Sequence, residues 1–196
     1  MKSICVFCGS SLGKDPAYVE AARETGRILG EKGIRLVYGG ANVGLMGTVA
    51  NACMKAGGEA VGIIPEKLLE YEVSHPKLTE LIVVKDMHER KAKMAELSQA
   101  FVSLPGGIGT MEETFEMFTW FQLGIQKKPV GILNIKGFYD PLSALLEKMI
   151  ENDYLSRIHV DMLVMEADPA VLIDRILHTE IKTVSKWYKR DKNLAN

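Results

Sequence analysis

The hydrophobic positions of the chain fall into seven short runs separated by longer amphipathic stretches. The runs are rich in Val and Ile and cover residues 4–8, 34–38, 60–64, 81–84, 100–104, 130–135 and 162–165. Such runs, with little polar alternation, are typical of strands buried on both faces of a parallel sheet. Helical periodicity appears near residues 16–31, 44–56, 86–98, 110–124, 138–151 and 169–178. The pattern predicts one Rossmann-like α/β domain over residues 1–196, a doubly wound parallel sheet of about seven strands with helices on both faces.

Two stretches lack this clear alternation. Residues 65–80 have weak periodicity, so we expect an irregular excursion over one edge of any site that the sheet carries. The end of the chain is mildly basic and is predicted to be a solvated helix end, with Lys182, Lys186, Lys189, Arg190 and Lys192.

Composition narrows the classes of partner. The chain has 24 Lys and Arg against 25 Asp and Glu, a formal net charge of −1, which gives no electrostatic basis for binding nucleic acid or a membrane surface. No apolar run approaches the roughly 20 residues of a membrane span. The first residues enter a strand pattern without a signal-peptide core. We expect a cytoplasmic protein with no nucleic-acid and no membrane partner.

The cysteines do not form a recognisable metal motif. Cys5 and Cys8 make a lone C-x-x-C, Cys53 stands apart, and a zinc site would need a second ligand pair. Because Cys5 and Cys8 lie in a strand-like run, their side chains should point to opposite faces. We expect buried, reduced thiols and no metal.

Three predicted strand-to-helix turns are rich in glycine, at residues 8–13, 39–47 and 104–113. Ligands of open α/β sheets bind beyond the carboxyl ends of the strands, and glycine lets the backbone approach a ligand closely. A helix that starts after such a turn offers free N–H groups to an anion. The turns favour a ligand with a phosphate at one end, although glycine at such a junction also serves tight packing alone.

The third turn differs from two common nucleotide motifs. Gly107-Ile108-Gly109 begins like the dinucleotide fingerprint, but Glu112 stands where that motif needs glycine or alanine. No Gly-Lys-Ser/Thr follows, so the P-loop motif fails as well. We therefore expect no nicotinamide cofactor.

The predicted helix over residues 86–98 carries a basic pair on its apolar side. Met87 and Met94 define the apolar face, and Arg90 and Lys91 follow Met87 by three and four residues. They therefore share that face instead of the opposite one. The pair either binds a ligand near the glycine turns or buries its aliphatic stems at the edge of a packed face.

Two carboxylates open the helix predicted from residue 110. Thr110 and Glu113 fit a capping box, with Thr110 as the N-cap and Glu113 at the third helical position. Glu113 also shares a helix face with Trp120, and a carboxylate beside aromatic side chains and a glycine turn is a candidate for chemistry. Glu112 precedes it on the same turn.

Residues 105–113 match the P-G-G-x-G-T-x-x-E motif of the LONELY GUY family, cytokinin riboside 5′-monophosphate phosphoribohydrolases often labelled possible lysine decarboxylases. Segments 39–47, 87–91, 120–124 and 128–131 also resemble this family, in the same order and spacing. The resemblance runs from about Ile4 to about Val164. It implies a hydrolase that releases the base from a purine riboside 5′-monophosphate.

The resemblance also implies roles for individual residues. It makes Arg90 and Glu113 the catalytic pair and residues 106–110 the phosphate cradle. It implies substrate contacts from Lys91, Glu112, Thr119 and Glu72, although the sequence around Glu72 departs from the family's P-R-E pattern. The other candidate substrate-binding residues are Gly9, Ser10, Gly39, Gly40, Gly44, Met46, Met87, Pro105, Gly106, Gly107, Ile108, Gly109 and Thr110.

The resemblance further implies a homodimer whose helices meet near the active site. Four aromatic positions on the predicted helix over residues 110–124 would suit such a surface: Phe115, Phe118, Trp120 and Phe121. Burial in the core explains these aromatic side chains equally well.

Cleaving a base–ribose bond builds positive charge on the ribose, as in glycoside hydrolysis. We assign the stabilisation of that charge and the activation of water to Glu113, and positioning to Arg90. The scheme requires no cofactor and no metal. The alternative is a non-catalytic carrier of a nucleotide or of molybdenum cofactor on the same fold, which would not need Arg90 and Glu113 together. The sequence leaves the preferred purine open.

Overall fold

The computed structural model describes residues 1–69 and 74–180 of the chain. Within this part, the strands are β1 Ser3–Phe7, β2 Arg35–Tyr38, β3 Ala60–Pro65, β4 Glu80–Val84, β5 Phe101–Ser103, β6 Val130–Leu133 and β7 Leu163–Glu166. They form one sheet in the order β4-β3-β2-β1-β5-β6-β7. Every neighbouring pair is parallel.

The helices are α1 Pro16–Glu31, α2 Gly44–Lys55, α3 Glu66–Leu69, α4 Met87–Leu97, α5 Ile108–Gln122, α6 Asp140–Glu151, α7 Arg157–Val160 and α8 Pro169–His178, with a 3-10 turn at Ile135–Gly137. Aspartate side chains cap the N-termini of three of these helices. The side chains of Asp15, Asp86 and Asp168 accept backbone N–H groups of the first turns of α1, α4 and α8. Such caps satisfy donors that have no partner inside the helix.

The predicted fold class is confirmed. All seven predicted strands and all six predicted helices are present, with ends that differ by no more than two residues. The short helices α3 and α7 were not predicted, because four residues are too few to show a period. The excursion over residues 65–80 contains α3 and an antiparallel bridge between Ala41 and Ser74. The basic tail from Lys182 onward lies outside the described residues.

Helices cover both faces of the sheet. On one face Leu29 of α1 and Val49 of α2 pack with Ile4 of β1, and on the other Met94 of α4 packs with Phe101 of β5. Alternate residues are buried on opposite sides, so that β1, β3, β5 and β6 are buried along their whole length.

The predicted burial of the thiols, with Cys5 and Cys8 on opposite faces, is confirmed. Cys5 lies in the core layer beneath α4 and α5, whereas Cys8 and Cys53 belong to the layer beneath α1 and α2. All three are free and buried.

The strand order reverses at the middle of the sheet. From β1 the chain moves outward through β2, β3 and β4, then returns to build β5, β6 and β7 on the other side of β1. The loops after β1 and β5 lead away in different directions, which opens a crevice at their carboxyl ends. The first and third glycine turns follow these two strands.

Two glycines let α1 and α2 approach closely. A Cβ atom at Gly26 would lie 2.9 Å from the Cβ of Ala52, and one at Gly30 would lie 2.7 Å from the Cβ of Ala56. Real side chains do not tolerate such contacts, so this helix pair depends on the missing methyl groups.

The variant Gly26→Ala tests this packing. Alanine favours a helix over glycine by up to about 1 kcal/mol, but overpacking costs about 1–3 kcal/mol, so we expect a net loss of about 1 kcal/mol or more. Urea unfolding measures the change. The matched control is Gly109→Ala in α5, where a Cβ would meet nothing within 4 Å, and this variant should be at least as stable as the wild type. Equal losses in the two variants would contradict the packing argument.

Candidate active site

A pocket of about 340 Å³ occupies the crevice beyond β1 and β5. It is called the crevice pocket below. Its walls come from the ends of β1 and β2 and from α2, α3, α4 and α5. The lining residues are Val6, Phe7, Cys8, Gly9, Ser10, Gly39, Met46, Leu68, Met87, Arg90, Gly107, Ile108, Gly109, Thr110, Glu112 and Glu113.

One wall of the pocket is the N-terminus of α5. Gly107 is the N-cap, with φ −91° and ψ −157°, and no side chain caps the helix. The N–H groups of Ile108, Gly109 and Thr110 have no carbonyl four residues earlier within the helix to bind. These three residues line the pocket. Their N–H groups and the positive end of the helix dipole make this wall suitable for an anion.

The predicted capping box is wrong. Thr110 is the third residue of α5 and not its N-cap, so Glu113 does not stand at the third helical position. The helix starts two residues earlier because the backbone of Gly107 turns the chain into it. Thr110 instead offers its carbonyl oxygen to the hydroxyl of Thr114 at 2.6 Å. Glu113 therefore has no capping role.

The glycine turns pack directly on each other. The N–H of Gly9 donates to the carbonyl of Pro105 at 3.1 Å. A Cβ at Gly106 would lie 2.9 Å from the nitrogen of Gly9, and a Cβ at Gly44 would overlap the backbone of Ser10. Gly106 and Gly44 thus serve close packing behind the pocket wall.

The structure brings Arg90 and Glu113 together at the crevice pocket. Their side chains come from α4 and α5, and Nη2 of Arg90 lies 3.4 Å from Oε1 of Glu113. Arg90 is only 7% exposed and Glu113 only 9%. The Nε of Arg90 is buried without a hydrogen-bond partner among the described residues. A cation and a carboxylate are thus held out of bulk water and face one cavity.

Lys91 pairs with α5 instead of lining the pocket. Its ammonium group donates to Glu112 and lies 3.2 Å from Oε2 of Glu116. Burial opposes the charged form, but the hydrogen bonds that Lys91 donates to Glu112 and Glu116 prevail and raise the pKa of Lys91. The predicted role in substrate binding stays a prediction, and in this structure Lys91 directly contacts Glu112.

Several predicted site residues lie elsewhere. Thr119 is exposed on α5 and does not line the pocket, and Glu72 lies outside the described residues. Gly40 has φ +84° and packs toward Leu81. Pro105, Gly106 and Gly44 lie behind the wall, as described above.

The sequence did not single out four lining residues, Val6, Phe7, Cys8 and Leu68. The first three are at the end of an apolar strand, where nothing distinguishes a lining residue from a core residue. Leu68 belongs to the excursion with weak periodicity. Burial, followed by the carboxylate of Glu113, raises the pKa of the Cys8 thiol far above its usual value, so Cys8 is not prepared as a nucleophile.

Residues 1–69 and 74–180 contain neither a candidate membrane span nor a candidate metal cluster. No helix in these ranges is long and apolar enough to cross a membrane. No group of three or more His, Cys, Asp or Glu in the same ranges is arranged to hold a metal ion.

Comparison with known proteins places the chain in a family. A family model described as "Possible lysine decarboxylase" matches residues 46–176. A probable cytokinin riboside 5′-monophosphate phosphoribohydrolase of Oryza sativa subsp. japonica is 42% identical, over 95% of this chain and 78% of the relative. A cytokinin riboside 5′-monophosphate phosphoribohydrolase of Arabidopsis thaliana is 40% identical, over 95% of this chain and 90% of the relative.

A solved structure, the molybdenum cofactor binding protein of Rippkaea orientalis, aligns with a TM-score of 0.68 and 23% identity, over 90% of this chain and 96% of that one. At this identity the likeness concerns the fold alone. The family model covers residues 46–176, and the two plant relatives are 42% and 40% identical over 95% of the chain. The chain therefore belongs to the LONELY GUY family.

Proposed function

We propose that this protein hydrolyses the N-glycosidic bond of purine nucleoside 5′-monophosphates, releasing the free base and ribose 5-phosphate. The observation that carries the proposal is the buried Arg90–Glu113 pair, which faces the same pocket as the uncapped N-terminus of α5. The names of the relatives from rice and Arabidopsis support the same reaction.

The 5′-phosphate binds at the start of α5. The N–H groups of Gly109 and Thr110 donate to its oxygens, and the helix dipole favours its negative charge. Gly9 and Ser10 line the pocket beside this wall and flank the phosphate on the β1 side. Binding the phosphate fixes the ribose, so that remote binding energy orients the bond to be broken.

Glu113 acts at the anomeric carbon. As the base departs, positive charge develops on the ribose ring. A carboxylate that is shielded from water stabilises this charge strongly, and it also accepts a proton from the attacking water. The small exposed fraction of Glu113 makes the electrostatic contribution large, because few water molecules screen it.

Arg90 positions the reacting groups. Its guanidinium is permanently charged and is therefore a poor proton donor. Its Nη2 lies 3.4 Å from Oε1 of Glu113, so the guanidinium fixes the position of that side chain at the pocket. Lys91 fixes Glu112 at the pocket edge, whereas the substrate contacts proposed for Thr119 and Glu72 rest on the family resemblance alone.

The family model's description suggests a decarboxylase. Pyridoxal-dependent decarboxylation needs a lysine that forms a Schiff base and a partner for the pyridinium nitrogen. The crevice pocket is lined by Arg90 and two glutamates but by no lysine of the described chain. These groups suit an oxocarbenium-like transition state better than a carbanion.

The rival function is a nucleotide or molybdenum-cofactor carrier. A carrier uses an anion site and a shaped pocket, but it has no use for a buried carboxylate opposite the anion. The likeness to the molybdenum cofactor binding protein concerns the fold, and the Arg90–Glu113 pair favours the hydrolase. The substrates we propose are AMP and N6-modified, cytokinin-type nucleotides, and cytoplasmic location stays a prediction from the sequence.

We also propose a homodimer formed through α5. Phe118 is buried in the core, whereas Phe115, Trp120 and Phe121 are only partly buried. Ile125, just beyond the helix, is 64% exposed. A second subunit that covered this side of α5 would remove apolar surface from water.

Turnover should depend on the 5′-phosphate. AMP offers the α5 N-terminus an anion and adenosine does not, so kcat/KM should be at least about 100-fold higher for AMP. Chromatographic assay of released adenine measures both values. Equal kcat/KM for the two compounds would contradict the phosphate site.

The charge of Glu113 should be needed for chemistry. Glu113→Gln keeps the shape and an acceptor for Arg90 but removes the negative charge, so kcat should fall by roughly 10²-fold or more while the protein stays folded. Thermal melts and base-release kinetics measure the two effects. The control is Glu112→Gln, which should change KM more than kcat. A Glu113→Gln variant with near-normal kcat would show that the carboxylate is structural.

Light scattering tests the dimer. At micromolar concentration the protein should show twice the chain mass of 21.7 kDa. The monomer mass alone, unchanged at tenfold higher concentration, would contradict the proposed interface.

A further inference from the structure

His75 lies outside the crevice pocket, yet it contacts the start of the second glycine turn, residues 39–47, and the helix α2 into which that turn runs. Its backbone N–H donates to the carbonyl of Gly40 at 3.0 Å. Its ring Nε2 lies 3.1 Å from Oδ1 of Asn51 on α2, and the amide of Asn51 donates to the carbonyl of Gly47 at 2.7 Å. His75 is 5% exposed. One buried residue therefore bonds both to the start of this turn and, through Asn51, to α2, the helix that follows the turn.

The contacts around the imidazole select one neutral form. The backbone N–H of Lys77 donates to Nδ1 at 3.2 Å, so Nδ1 is the acceptor and the proton is on Nε2, which donates to Asn51. Burial, and then the positive charge of Lys77, lowers the pKa of His75. The ring thus acts as a fixed bridge with one donor and one acceptor, both in use.

The inner side of the same turn is the wall behind Arg90. A Cβ at Gly39 would overlap Nη2 of Arg90 and would lie 3.2 Å from the sulfur of Met46. Gly39 and Met46 line the crevice pocket. The guanidinium is thus held between Gly39 on one side and Glu113 on the other. A shift of the turn would let Arg90 move away from Glu113.

We propose that His75 is a positioning residue for the base-releasing reaction, which holds the second glycine turn against Arg90 through Asn51 and so fixes Arg90 relative to Glu113. This inference rests on the proposed function. It predicts a specific pattern, because the proposed phosphate site consists of the start of α5 and of Gly9 and Ser10 after β1, and not of this turn. Loss of the ring should impair chemistry more than phosphate binding.

The test compares kcat with the inhibition constant of ribose 5-phosphate, which probes the phosphate site without the base. His75→Ala should lower kcat about tenfold or more, since a misplacement of about 1 Å can cost roughly 100-fold, while the inhibition constant changes less than about threefold. His75→Gln should recover most of kcat, because its amide N–H can reach Asn51. Asn51→Ala should reproduce the loss, and the double variant should be no worse than either single one.

The matched control is the other buried histidine of the described chain, His159 on α7, whose Nδ1 lies 3.4 Å from the amide of Gln122. His159→Ala should lower the melting temperature without lowering kcat. The inference is overturned if His75→Ala keeps normal kcat or if His75→Gln does not recover kcat. It is also overturned if the losses of kcat in His75→Ala and Asn51→Ala add in the double variant, or if kcat follows the melting temperature in all variants. Should His75→Ala not fold, Asn51→Ala carries the same expectation alone. A wild-type protein that releases no base would refute the proposed function itself.

Discussion

The crevice at the middle of the sheet depends on backbone lying directly on backbone. After β1 and β5 the chain must leave in different directions, and the loops that follow still touch through Gly9 and Pro105 at 3.1 Å. Any side chain at Gly106 or Gly44 would push these loops apart. Their contact holds the loop that carries Gly107, the N-cap of α5, and so positions the anion-binding end of that helix. The glycine content of the turns is therefore a packing requirement that creates a binding surface.

A second constraint joins α4 to α5 across the pocket. Arg90 and Lys91 both reach from α4 to carboxylates of α5. The pair of Lys91 with Glu112 is partly exposed and contributes little to stability. The pair of Arg90 with Glu113 is buried. Because both charges lose their water on burial, the pair contributes little net stability. A buried ion pair beside an anion site is better explained by a role in catalysis that costs some stability.

The sequence predicted the fold because each strand contains a short, nearly continuous apolar run and each long helix has a clear period. Arg90 and Glu113 could be proposed because Arg90 falls on the apolar face of its helix and the motif around Glu113 resembles a known family. The capping box at Thr110 was wrong because the conformation of Gly107 decides the helix start, and no side-chain pattern records it. The pairing of Lys91 with Glu112 and the place of Leu68 arise from tertiary contacts, which local periodicity does not encode. His75 was missed for the same reason.

Incubation of the wild-type protein with AMP, followed by mass spectrometry of all products, tests the central claim most directly. In a buffer without inorganic phosphate, the account predicts free adenine and ribose 5-phosphate in equal amounts. This stoichiometry requires water as the only co-substrate and the N-glycosidic bond as the only bond broken. AMP that binds tightly and is recovered intact after prolonged incubation would contradict the account and would make the protein a carrier.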